Sequence, residues 1–171
     1  MEFYDVIEGR HSIRAFQDKD VEKEKITKIL STVSLCPTAG NLQAYKIYVV
    51  KTKELKEELS EAALGQGPVA EAPIVLVFCA DQKQSAMKYD ERGAQLYAIQ
   101  DATIAAAYAQ LAATAEELGS VWVGAFDPLE VSRILNIEPY HIPVAIIPIG
   151  YPAEIPEGRD RRDLKEMVIE V

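Results

Sequence analysis

Apolar positions along the chain recur with two periods, and the change of period marks the elements. Ile26, Ile29, Leu30 and Val33 fall at helical spacing, which predicts a helix over 21–34 with Asp20 as its N-cap. A short helix is expected from Glu2 to Glu8, stopped by Gly9, with extended chain from Arg10 to Asp20. Tyr45 to Val50 reads as a strand and Glu54 to Leu64 as a helix. Ile74 to Cys79 is an unbroken apolar run, as in a strand buried on both faces. The polar stretch 82–92 carries no clear period and reads as a mobile segment. After it a long helix is expected from Gly93 to Leu118, alanine-rich and apolar almost all round, and therefore central to the fold. Val121 to Val123 reads as short and extended. A helix capped by Asp127, with Pro128 in its first turn, runs to Leu135. Ile142 to Ile149 is a second buried-type strand, its prolines near the ends or at an irregular point. The charged tail from Glu157 ends in Met167–Val171, which has the composition to add a strand to a sheet edge.

Helices and strands alternate without a strict repeat, and no glycine-rich fingerprint follows a first strand. A mixed sheet packed between helices, an α+β arrangement, is favoured over a doubly wound fold. The length, 171 residues, suits a single domain spanning 1–171. Apolar residues at 49% and charged residues at 26% suit a globular chain with a full core.

Charge narrows the partners. With 18 Lys+Arg against 27 Asp+Glu the formal charge is −9, a field that repels nucleic-acid backbones and anionic membrane surfaces. Two cysteines, Cys36 and Cys79, are too few for a disulfide scaffold, and His11 and His141 lack partners at metal-ligand spacing. The acidic start has no signal-peptide character. The apolar stretch Ala94–Leu118 is broken by Gln95, Gln100, Asp101, Gln110 and Glu116, so a cytoplasmic location is expected.

Against this acidic background a local basic cluster is informative. In extended chain Arg10, Ser12 and Arg14 share one face. Two guanidiniums and a hydroxyl, about 7 Å apart per two-residue step, suit a phosphate with a polar tail; surface arginines paired with carboxylates are the plainer alternative. Arg159, Arg161 and Arg162 form a second cluster. They are either a solvated tail or, folded back beside Arg10, the completion of a dianion site. The loop Pro37-Thr38-Ala39-Gly40-Asn41-Leu42-Gln43 offers a hydroxyl, two carboxamides and small residues, which suits the mixed edge of a heterocycle and equally a plain turn. Trp122-Val123-Gly124-Ala125-Phe126 lets main-chain N–H groups reach a flat ligand, or is a core tryptophan beside a turn. Cys36 reads as a buried, inert thiol.

These segments occur together in one family. Arg10-His11-Ser12-Ile13-Arg14-Ala15-Phe16 resembles the opening motif of the FMN-dependent nitroreductase family, and Pro37–Gln43 resembles its Pro-Ser-x-x-Asn-x-Gln loop. The long helix with Trp122–Phe126, then Ile149-Gly150-Tyr151-Pro152 and the late arginines, is similar to the rest of that family in order. Ala44-Tyr45 departs from the frequent Pro-Trp after the loop.

The resemblance implies a mainly antiparallel sheet sandwiched between helices, in a homodimer with FMN at the subunit interface. It implies that Arg10, Ser12, Arg161 and Arg162 hold phosphate and ribityl groups, with His11 also among the cofactor-binding residues. Arg14 would approach N1/O2 of the ring and tune it. Pro37, Thr38, Ala39 and Asn41 would come from the partner subunit, and Gly124 and Ala125 would offer main-chain groups near N5 and O4. The C-terminal strand would cross to the other subunit. The implied activity is ping-pong transfer of a hydride from NADH or NADPH through flavin N5 to a nitroaromatic, quinone or similar small acceptor. No side chain would serve as acid or base. A non-catalytic protein that stores or senses FMN is the alternative.

Overall fold

The computed structural model describes residues 2–156 and 158–171; Glu157, where the charged tail was expected to begin, lies outside the described residues. Helix α1 (Phe3–Gly9) is followed by extended chain and α2 (Lys23–Val33). A 3-10 turn (Ala39–Asn41) leads into β1 (Tyr45–Val50), then α3 (Lys53–Ala62) and the short α4 (Gly67–Glu71). Strand β2 (Ile74–Asp81) runs into α5 (Gln82–Arg92), a π turn (Gly93–Tyr97) and α6 (Ala98–Ala115). Strand β3 (Gly119–Ser120), α7 (Pro128–Ile134), β4 (His141–Gly150) and a final 3-10 turn (Leu164–Glu166) complete the order.

The four strands form one sheet in the order β1-β2-β4-β3, and each neighbouring pair is antiparallel. The parallel element is a bridge between Ser12 and Ser120. Alternation along β2 divides the core in two. Ile74, Leu76 and Phe78 face α2 and α6, packing on Ile29, Val33, Ala105 and Ala109. Val75, Val77 and Cys79 face the other way, onto Leu59, Val69 and Val131 from α3, α4 and α7. Helices therefore cover both faces, and the all-apolar reading of β2 follows from that double burial. Pro143 and Pro148 sit within β4, and the β2–β4 register shifts between Phe78 and Cys79, next to Pro143.

Several expected elements differ. Helix α2 starts two residues later than predicted, with Glu22 rather than Asp20 at its N-cap. The Glu22 carboxylate does not cap the helix; it accepts a 2.7 Å bond from the Tyr151 hydroxyl, which with Lys19 and Lys25 holds its pKa below the usual range. The stretch 82–92 is helical, not an irregular mobile segment: Asp81 caps it by accepting from Gln84 N–H. Its polar sequence hides the helix because it packs by glycine fit rather than by an apolar stripe. A Cβ on Gly93 would lie 2.6 Å from the Ser85 carbonyl oxygen, so the chain after the Asp90 bend (φ 48) lies directly on α5. The Gly93–Leu118 helix is accordingly split into the π turn and α6. The tail adds no strand to the sheet among the described residues, and Met167, Val168, Ile169 and Val171 are exposed. Among the described residues no helix is long and apolar enough to cross a membrane.

Candidate functional site

Residues 10–14 are pinned along their backbone. Ile13 N–H donates to Ser120 O at 2.9 Å, and its buried side chain sits where a Cβ on Gly119 would come within 2.8 Å. Glu154 accepts from the N–H groups of Arg14 and Ala15, tying this segment to the chain that follows β4. With Ile13 turned inward, the alternate positions Arg10, Ser12 and Arg14 face outward, as extended geometry requires.

They line one cleft of about 870 Å³ together with His11, Glu154, Arg159 and Arg161. Residues nearly 150 positions apart thus converge. Among the described residues, none of the guanidiniums of Arg10, Arg14, Arg159 and Arg161 is paired with a carboxylate. Four guanidiniums outnumber the carboxylates of Glu8 and Glu154 on the same lining, and with the Ser12 hydroxyl they form, in a chain of charge −9, the donor set a phosphate dianion needs. Arg162 does not line this cleft; its Nε donates to Glu166 Oε2 at 3.0 Å. His11 Nδ1 lies 3.1 Å from Gly9 O.

The loop 37–43 lies elsewhere. Pro37, Thr38 and Ala39 line a second, mostly apolar pocket of about 560 Å³ with Tyr97, Ile99, Gln100, Asp101 and Ile104. Its shape is locally satisfied: Gln43 N–H donates to Thr38 Oγ1 at 3.1 Å, and Gln43 Nε2 donates to Asn41 Oδ1 at 2.6 Å. Gly40, Asn41 and Gln43 all take positive φ. Beneath it stands Asp101, 2% exposed, whose Oδ1 accepts from Ala39 N–H at 2.9 Å while its Oδ2 has no partner. Burial raises the Asp101 pKa above the usual carboxylate value, opposed by the backbone N–H groups of Ala39 and Ala44. Cys36 is buried, its thiol shifted upward by burial, and Tyr45 above it is pushed up to about 12 by the same cause.

Gly124 and Ala125 are exposed and line neither pocket. Gln66 Nε2 donates to Ala125 O at 2.9 Å and so fixes this turn from α4's leading edge. Among the described residues, no protein acceptor takes the N–H of Gly124 or Ala125. Trp122 Nε1 lies 3.1 Å from where a Cβ on Gly124 would stand, so a side chain there would press on the indole.

Asp101 and Gln66 escaped the sequence reading. The one signal for Asp101 was an acid on a helix apolar almost all round, which marks a carboxylate that is buried and needs a hydrogen-bond partner. No residue lines both pockets.

The family description "Nitroreductase family" matches residues 7–90 and 66–151. The NADH dehydrogenase of Thermus thermophilus is 34% identical over 187 aligned positions, covering 94% of this chain and 91% of its own. An FMN reductase (NAD(P)H) of Bacillus subtilis is 32% identical over 156 positions, covering 84% of this chain and 63% of its own. The structure of B. megaterium NfrA2 matches with a TM-score of 0.92 at 28% identity, over 99% of this chain and 74% of that one.

Proposed function

The chain belongs to the nitroreductase family, and from that premise we propose that it is an FMN-dependent oxidoreductase fed by NADH or NADPH, working as a homodimer with the flavin shared between copies. Residues 1–171 then form a single FMN-binding domain. The observation that carries the reading is the convergence of Arg10, Ser12 and Arg14 with Arg159 and Arg161 in one cleft. That donor set fits the phosphate and hydroxyls of riboflavin phosphate, and the names of the relatives fit the same cofactor.

In this reading the guanidiniums of Arg10, Arg159 and Arg161 hold the phosphate, and His11 and Ser12 meet the adjoining polar chain. Arg14 contributes positive charge beside the ring, which favours an electron-rich ligand over a neutral one. The free N–H groups of Gly124 and Ala125 orient the ring edge, with Gln66 keeping their turn in place. Pro37, Thr38, Ala39 and Asn41 close the site from the other copy, because one chain offers the cleft and the loop at separate places. When bound, FMN supplies a centre at N5 that accepts a hydride and passes it to a small acceptor such as a nitroaromatic or quinone. The protein positions and charges that centre and needs no side-chain acid or base.

The test has two arms. Purified protein should be yellow, and anaerobic NADH or NADPH should bleach it; a yellow protein that neither coenzyme bleaches would be a flavin-storage protein instead. A copy with Arg10→Ala and Arg161→Ala and a copy with Gly40→Val, each poor at holding FMN alone, should regain about one quarter of the sites when unfolded together and refolded, if each site draws on two copies of a two-fold dimer. Recovery of none would mean that each chain builds its site alone.

A further inference from the structure

Glu154 is an acid set among bases. It lines the cleft with Arg10, Arg14, Arg159 and Arg161, yet among the described residues it forms an ion pair with none of them. A negative charge there weakens the attraction that the arginines exert on an anion. Its Oε1 is engaged by backbone instead, accepting from Arg14 N–H and, at 3.2 Å, from Ala15 N–H.

Those two N–H groups stand where the chain changes partners. Ser12 is bridged in parallel to Ser120, and Phe16 is bridged antiparallel to Pro152. Around the second bridge Gln17 N–H donates to Tyr151 O and Ala153 N–H to Ala15 O, each at 2.9 Å. A continued ladder would return a bond from Ala15 N–H to Ala153 O; that N–H goes to the Glu154 carboxylate in its place. Successive N–H groups of a strand point to opposite sides, so two on one oxygen mark a bend that cradles an anion. Here the chain supplies that anion itself. Ile13 N–H is held by Ser120 O on one side and Gln17 Nε2 by Pro152 O at 2.8 Å on the other. Between these fixed points the Arg14 backbone, from which the guanidinium projects, takes its orientation from Glu154.

We propose that Glu154 is a positioning residue for Arg14: its carboxylate fixes the Arg14–Ala15 backbone and so sets where the Arg14 guanidinium stands against the flavin ring. The inference rests on the functional reading above, in which Arg14 lies beside that ring. Charge and positioning act with opposite signs. As a bare charge Glu154 opposes both the phosphate and an electron-rich ring, so its loss would tighten FMN and raise the flavin potential. As a latch its loss displaces Arg14 and does the reverse. Glutamine separates the two, because a carboxamide oxygen still accepts from N–H while carrying no charge.

The experiment compares Glu154→Ala and Glu154→Gln with wild type, both flavin-loaded and flavin-free. Glu154→Ala should weaken FMN about tenfold and lower its midpoint potential, measured against a reference dye during anaerobic reduction. Glu154→Gln should bind FMN within about threefold of wild type and show no fall in potential. In flavin-free protein the amide protons of Arg14 and Ala15 should exchange faster in Glu154→Ala alone. In an Arg14→Gln background Glu154→Ala should lower the potential no further. Tighter FMN with a raised potential in both variants, no change in either, or an equal fall with and without Arg14 overturns the proposal. Protein that takes up no added FMN defeats the functional reading instead, and amide exchange at 14 and 15 still tests the latch, which separates the two failures.

Discussion

Around the basic cleft the groups that would touch a ligand are long, exposed side chains: Arg14, Arg159 and Arg161 stand in solvent, and among the described residues none of them forms an ion pair. Around the second pocket the chain itself is the recognition surface. The loop 37–43 has its donors and acceptors tied to one another and one N–H tied to Asp101, 2% exposed. The first arrangement suits a charged, mobile group, because guanidiniums adjust to it at little structural cost. The second suits a rigid planar edge, because a backbone fixed in advance loses no entropy on binding. Both are needed for a ligand with a phosphate at one end and a ring at the other.

The largest expected break in this contrast is at the cleft. Arg10→Ala with Arg161→Ala removes two charged hydrogen-bonding groups, each worth about 1.5–3 kcal/mol. FMN affinity measured by equilibrium dialysis should fall about a hundredfold or more on that basis, while the melting temperature of the flavin-free protein barely moves. Gly40→Val acts through shape instead: a branched residue at φ +58 is strained, and its Cβ would collide with Tyr89 and Lys88. Flavin affinity should fall roughly tenfold, and in the flavin-free protein the amide protons of 38–43 should exchange faster, which arginine loss at the cleft should not cause.

Asp101→Ala is expected to be milder, weakening FMN about three- to tenfold by leaving the Ala39 N–H unpaired. Asp101→Asn keeps an acceptor and should recover most of that loss; equal loss in both variants would mean that Asp101 merely fills space. The smallest effect is a pH dependence. Burial raises the Asp101 pKa on folding, so its share of stability is fully present below its unfolded value, about 4, and is lost as pH rises through the folded value. The melting temperature of Asp101→Asn relative to wild type should therefore climb from about pH 3.5 toward neutrality. A difference that stays flat with pH would show that the carboxylate ionises freely in place.

Parts of this contrast could be read before folding was considered. The Arg10–Arg14 alternation is a local property of extended chain, so its shared face was legible. Strand β1 falls at Tyr45–Val50 as its composition predicts, and Asp127 caps α7 by accepting from Leu129 and Glu130 N–H. Folding back of the tail beside Arg10 could be posed as one of two options, but the choice of Arg159 and Arg161 over Arg162 depends on the Glu166 contact. The rest was set by tertiary fit. Asp20 lies two residues before the N-cap, Glu22, whose carboxylate is engaged by Tyr151 from far along the chain. Helix α5 is polar and gives no stripe. Its place follows from Gly93 against Ser85 and from Gly40 beneath Tyr89, the second a contact between segments far apart in the chain.

The exposed Met167, Val168, Ile169 and Val171 give the proposed assembly a consequence for handling the protein. A lone copy would present a greasy end to water, and a pair could cover it, so subunit concentration and cofactor occupancy become linked by mass action. Dilution should then act as a reagent: the yellow colour should fade from the macromolecule on a gel-filtration column as the load is lowered, and excess riboflavin phosphate in the running buffer should restore it.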